Sequence, residues 1–98
     1  MKPNSQLLFI VNPISGNSDK SQLIDLVCNE VEKRDYSMEV YKTTGNDDDK
    51  KIKELLNSIK PDRILVAGGD GTIKQVADIL EDLKIPLGLF PAGSANGL

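Results

Sequence analysis

The apolar run Ile64-Leu65-Val66-Ala67 passes without a break into Gly68-Gly69-Asp70-Gly71-Thr72, and a periodic stretch from Ile73 to Leu83 follows. Four uninterrupted apolar residues predict a buried strand. Ile73, Val76, Ala77 and Leu80 fall at i, i+3, i+4 and i+7, which predicts a helix. The glycine-rich turn therefore joins the carboxyl end of a strand to the amino end of a helix. Glycines there let the backbone come close to a ligand, and unpaired amides together with the helix dipole favour an anion. Phosphate is the natural guest.

The rest of the chain repeats this alternation. Leu7 to Val11 is continuously apolar, as in a central parallel strand covered on both faces. A loop from Asn12 to Ser18 precedes a helix over about Asp19 to Lys33, with Ile24, Val27, Cys28 and Val31 on one stripe. Met38 to Lys42 alternates as a less buried strand, and Thr43 to Asn46 forms a loop. A helix from about Asp47 to Ile59 carries Ile52, Leu55, Leu56 and Ile59 inward; its acidic first turn and Lys60 complement the dipole, and Pro61 stops it. Pro86 introduces a last strand, Leu87 to Phe90, and a loop from Pro91 to Leu98. Strand starts lie about 25 to 30 residues apart, the size of a βαβ unit. The pattern is that of an α/β domain with a mainly parallel sheet and flanking helices.

Composition removes several kinds of chemistry. Ninety-eight residues make one domain, able to bury roughly two thirds of the surface exposed on unfolding. The formal net charge is -3, histidine is absent and Cys28 is the single cysteine. Nucleic acid is therefore a poor partner, and Ser-His-Asp triads, Cys/His zinc sites and intrachain disulfides are excluded. No apolar run reaches the roughly 20 residues that span a bilayer, and Met1 to Ser5 does not read as a signal sequence. A reducing, cytoplasmic setting is expected.

Four loops with unusual chemistry follow strands, so a parallel sheet gathers them on one edge, where open α/β folds bind ligands. Gly68 to Thr72 is neither a Walker loop, which needs a lysine after its last glycine, nor a dinucleotide fingerprint, because Lys74 stands where the third glycine belongs. A plain βα turn explains one or two glycines; three around an aspartate, closed by a hydroxyl, exceed that need. Thr72 is expected to cap the helix while donating to phosphate. Asp70 is the candidate catalytic residue. A carboxylate beside phosphates is repelled unless it neighbours Mg²⁺ or takes a proton from an incoming hydroxyl. A hydrogen bond to a turn amide is the bland alternative. In the loop after the first strand, Asn12 offers an amide while Ser15 and Gly16 offer a hydroxyl and open backbone. Thr43 and Thr44 end the second strand within reach of a nucleotide. Gly93, Ser94 and Asn96 put two hydrogen-bonding side chains and free backbone on the last loop. Asp47-Asp48-Asp49 reads as a charged first helical turn rather than a metal site, and Cys28 as core.

Asn12-Pro13-Ile14-Ser15-Gly16, Gly68-Gly69-Asp70-Gly71-Thr72 and Pro91-Ala92-Gly93-Ser94-Ala95-Asn96, in this order, resemble the diacylglycerol kinase catalytic domain family of lipid kinases. The resemblance covers nearly the whole chain. It implies a fold like that of NAD kinase and phosphofructokinase, and an ATP-dependent, Mg²⁺-assisted kinase acting on a lipid hydroxyl. By motif, Asn12, Ser15, Gly16 and Thr43 or Thr44 would contact ATP. Gly68, Gly69, Gly71 and Thr72 would cradle its phosphates, and Asp70 would be base or Mg²⁺ partner. Ser94 stands where threonine is usual and Asn96 matches the motif asparagine, while Lys74 and Gln75 replace a common Asn-Glu pair. Family catalytic cores are several-fold longer and carry a second, β-rich lipid-binding domain. This chain is accordingly expected to be an amino-terminal nucleotide-binding fragment, inactive alone, that meets lipid through the other domain by peripheral membrane contact. Apolar surface meant for that domain is expected to promote self-association. The rival readings are an NAD kinase-like or other small-alcohol kinase, and a noncatalytic nucleotide-binding domain.

Overall fold

All four strands of the alternating pattern form, and all run parallel. The computed structural model describes residues 5–13, 21–81, 83, 85 and 87–91. Its elements are β1 (Gln6–Val11), α1 (Ser21–Lys33), β2 (Ser37–Lys42), α2 (Asp48–Ile59), β3 (Arg63–Gly68), α3 (Asp70–Ile79) and β4 (Leu87–Pro91). The sheet has the order β2-β1-β3-β4. The architecture is the expected α/β one.

Alternation along β1 divides the core into two layers. Leu8 and Ile10 pack with Ile64 and Val66 of β3 against Ile52 and Leu56 of α2 and Val76 and Leu80 near the end of α3. Leu7, Phe9 and Val11 pack on the opposite face with Leu23, Val27 and Val31 of α1. Leu8 through Val11 are wholly inaccessible, which is why this strand reads as a continuous apolar run. Each such side chain contributes about 1.5–3 kcal/mol through burial, so the frame behind the loops is rigid. β2, an edge strand, alternates between exposed and half-buried positions over most of its length, in keeping with its mixed composition.

The largest departure from expectation is in α3. It begins at Asp70 rather than Ile73 and ends at Ile79 rather than Leu83. Gly69, in extended conformation, is the residue before the first turn, so Asp70, Gly71 and Thr72 are themselves helical. Thr72 is thus not the capping residue, and its side chain turns inward. The buried stripe is Thr72, Val76 and Leu80, while Ala77 is exposed. Beyond Ile79 the helix gives way to turn bonds, Glu81 N–H to the Asp78 carbonyl and Leu83 N–H to that of Leu80.

Candidate functional site

The order β2-β1-β3-β4 has a reversal at its centre: from β1 the chain moves outward to β2, then returns to the other side of β1 to form β3. Connections leaving β1 and β3 therefore diverge and open a crevice at the carboxyl edge of the sheet. Hydrogen bonds prolong the sheet into this edge. Asn12 N–H donates to the Ala67 carbonyl at 2.9 Å, and Thr43 N–H to that of Val11 at 2.8 Å. Asn12 and Thr43 are thereby fixed at the rim.

Asn12, Thr43, Thr44, Gly45, Asp48, Gly71, Thr72 and Gln75 line a cleft of about 430 Å³ here. Across the crevice, Asn12 Nδ2 donates to Thr72 Oγ1 at 3.0 Å. That bond joins the loop after β1 to the first turn of α3, residues 60 apart in sequence. Gly68 permits the approach. A Cβ placed on it would lie 3.0 Å from Thr72 Cβ, 3.1 Å from Thr72 Oγ1 and 3.2 Å from Asn12 Cβ. Gly71 is different: a Cβ there would meet nothing within 4 Å, so it opens onto free space at the start of α3. The residue before the helix, Gly69, supplies no side-chain cap, and a helix start with its dipole favours an anion.

The opposite wall is built around a residue that the sequence reading assigned to a dipole effect. Asp48 is 6% exposed. Its Oδ1 accepts from Tyr41 OH at 2.5 Å and from Thr44 N–H at 2.9 Å, with Thr44 Oγ1 3.3 Å away, and its Oδ2 accepts from Gly45 N–H at 2.8 Å. Burial pushes the carboxyl pKa up, but the bonds from Tyr41, Thr44 and Gly45 outweigh it and hold Asp48 below its ordinary range. Tyr41 is pushed up to about 12, first by burial and then by its bond to the carboxylate. Gly45, at φ +88, takes a backbone turn that side chains disfavour. An aspartate three and four residues after a Gly and a Thr was the available signal for this anchor, obscured by acidic neighbours on both sides.

Gln75, one turn after Gly71, donates through Nε2 to Asp49 Oδ1 and ties α3 to α2. A glutamate at this position could not donate to Asp49 without a proton. The bond stands between the cleft and a second hollow of about 590 Å³ that also touches Gly71, Lys53, Lys74 and Asp78. Of the other predicted site residues, Gly69 precedes α3 and Asp70 begins it; the Asp70 side chain lies outside the described residues. Ser15, Gly16, Gly93, Ser94 and Asn96 also lie outside them. Among the described residues no group of three or more His, Cys, Asp or Glu gathers as a metal cluster, and no helix is long and apolar enough to cross a membrane.

Comparison with known proteins bears on the family and the fold. The chain is 33% identical over 100 residues to the probable lipid kinase YegS-like of Pectobacterium atrosepticum, an alignment covering 98% of this chain and 32% of that protein. It is 32% identical to sphingoid long-chain bases kinase 1 of Arabidopsis thaliana, over 99% of this chain and 14% of that one. A crystal structure of a diacylglycerol kinase from Bacillus anthracis superposes with a TM-score of 0.70 at 32% identity, covering 91% of this chain and 33% of that one. The chain thus spans about a third or less of these relatives. The family model for the diacylglycerol kinase catalytic domain matches residues 6–98, and the chain belongs to that family.

Proposed function

We propose that this chain is the ATP-binding lobe of a lipid kinase and that the intact protein transfers the γ-phosphate of ATP to a lipid hydroxyl, on a diacylglycerol-like or sphingoid substrate. The observation that carries the reading is the Asn12–Thr72 bond across the crevice, which holds the start of α3 beside the rim of β1 and β2. In this reading the phosphates lie over Gly71 with the first-turn amides, where open space is available. Thr43 and Asn12 face the remainder of the nucleotide. Mg²⁺, when bound, would neutralise phosphate charge. Asp70, first residue of α3, is the residue to hold that ion or to take the proton of the lipid hydroxyl. A second domain supplies the lipid, and the protein meets it by peripheral contact with the cytoplasmic face of a membrane.

Titration calorimetry of the chain with Mg-ATP tests the lobe. The wild type is expected to bind, and Gly71→Ala to weaken binding about tenfold without lowering the thermal midpoint, because alanine suits a helix better than glycine. No binding by the wild type, or equal binding by Gly71→Ala, overturns the reading. In the intact protein, transfer of labelled γ-phosphate to diacylglycerol or a sphingoid base in mixed micelles should vanish with Asp70→Asn. Undiminished transfer by that variant removes Asp70 from the chemistry.

A further inference from the structure

The carboxylate of Asp48 collects three donations from three residues: the Tyr41 hydroxyl and two consecutive backbone amides, Thr44 and Gly45. Thr43 N–H is held one residue earlier by the Val11 carbonyl. Three successive amides of this wall are therefore satisfied within the protein. The Thr44 hydroxyl is engaged as well: it donates to the Asn46 carbonyl at 3.0 Å, lies 3.3 Å from Asp48 Oδ1 and accepts from Asn46 N–H at 3.2 Å. What the wall shows a ligand is the Thr43 side chain and the open surface of Gly45, with a buried negative charge behind them.

We infer that Asp48 is a positioning residue: it fixes the Thr43–Gly45 wall in its ligand-ready shape and, through its charge, turns the phosphates of the nucleotide away from this wall and toward α3. The inference rests on the nucleotide reading above. Two features of the cleft are then complementary. The first turn of α3, with no side-chain cap from Gly69, offers the positive end of a dipole, whereas the Thr43–Gly45 wall has spent its amides on the Val11 carbonyl and the Asp48 carboxylate. An anion gains at one wall and is repelled at the other, so the bound orientation is set before the ligand arrives. A loop held in place in advance also saves the ordering entropy that binding otherwise consumes.

The test combines two readouts on the chain as it stands. Amide hydrogen exchange by NMR reports on Thr44 and Gly45, and calorimetry with Mg-ATP, and separately with adenosine, reports on binding. Asp48→Asn keeps the size of the side chain but replaces an acceptor with a donor facing the loop. Exchange at Thr44 and Gly45 should accelerate by about tenfold or more, and Mg-ATP affinity should fall about tenfold, while core amides of β1 keep their protection. Adenosine, which meets the same wall but never felt the repulsion, should lose at least as much affinity as Mg-ATP does. Tyr41→Phe removes a single donor and is expected to weaken Mg-ATP about two- to threefold with folding intact, which keeps the inference testable should Asp48→Asn not fold. Faster loop exchange with unchanged Mg-ATP affinity would make Asp48 purely structural and overturn the inference; so would an unchanged Tyr41→Phe. A wild type that binds neither ligand overturns the nucleotide reading itself, a different outcome from either of these.

Discussion

Gly68→Ala is the sharpest probe of how the crevice is assembled. The added methyl would sit 3.0 Å from Thr72 Cβ, 3.1 Å from Thr72 Oγ1 and 3.2 Å from Asn12 Cβ, each tighter than an ordinary contact. Two of the three atoms are β-carbons, whose positions follow the backbone, so a rotamer change cannot relieve them. The first turn of α3 and the end of β1 must separate by a few tenths of an ångström, and the 3.0 Å bond between Asn12 and Thr72 lengthens with them. Overpacking of this kind costs about 1–3 kcal/mol, offset by about 0.4–1 kcal/mol from the stiffer unfolded chain, which leaves about 1–2 kcal/mol of net destabilisation. For a domain of this size that corresponds to a midpoint lowered by about 5–15 °C. Circular dichroism melts measure it directly, and Mg-ATP affinity should drop about three- to tenfold because the amides of α3 have moved. The contrast with Gly71→Ala, which is expected to lose binding but not stability, separates the two glycines. A Gly68→Ala variant as stable and as competent as the wild type would mean that the crevice tolerates displacement, and the reasoning from close approach would fail.

Thr72→Val keeps the shape of the buried side chain but deprives Asn12 Nδ2 of this acceptor. Its urea-denaturation free energy should fall by about 1–3 kcal/mol, with Thr72→Ser recovering most of it. The Tyr41–Asp48 pair gives stability two pH limits of opposite sign. Asp48 has its folded pKa below the ordinary 3.8, so its contribution is complete above that value and is lost as pH falls through the folded one. Tyr41 has its folded pKa above the ordinary 10.0, so its contribution is complete below pH 10.0 and is lost as pH rises toward about 12. Denaturant midpoints measured across both windows should show each slope in the wild type, and Tyr41→Phe should lack the alkaline one.

The frame of this domain was legible because its strongest signals are local and redundant. β1 and β3 are continuous apolar runs for the reason that both of their faces are covered, by α1 on one side and by α2 and α3 on the other. The positions of the loops followed from parallelism alone. α3 misled because its apolar periodicity begins only at Ile73 and the three glycines before it read as a turn, which put its start after Thr72. Tertiary context decided otherwise: Thr72 is drawn inward onto the stripe that continues through Val76 and Leu80, with its hydroxyl satisfied by Asn12 from the far side of the crevice. No local window of sequence contains both partners of that bond.

The same separation explains why Asp48 was hidden. Charge at a helix start is sufficiently accounted for by the dipole, and Asp49, exposed one residue later, fits that account in part. What distinguishes Asp48 is that the chain immediately before α2 doubles back over its carboxylate, with Asp47 at φ 55 and Gly45 at φ +88 supplying the left-handed turns. A buried carboxylate without donors is strongly disfavoured, and three donations, from the Tyr41 hydroxyl and the Thr44 and Gly45 amides, make its burial tolerable. The dependence runs in both directions, since without the charge these two amides would have to find other acceptors at the cleft wall. The geometry of that wall and the ionisation of Asp48 are consequently one property, and a change that alters either is expected to appear in the other.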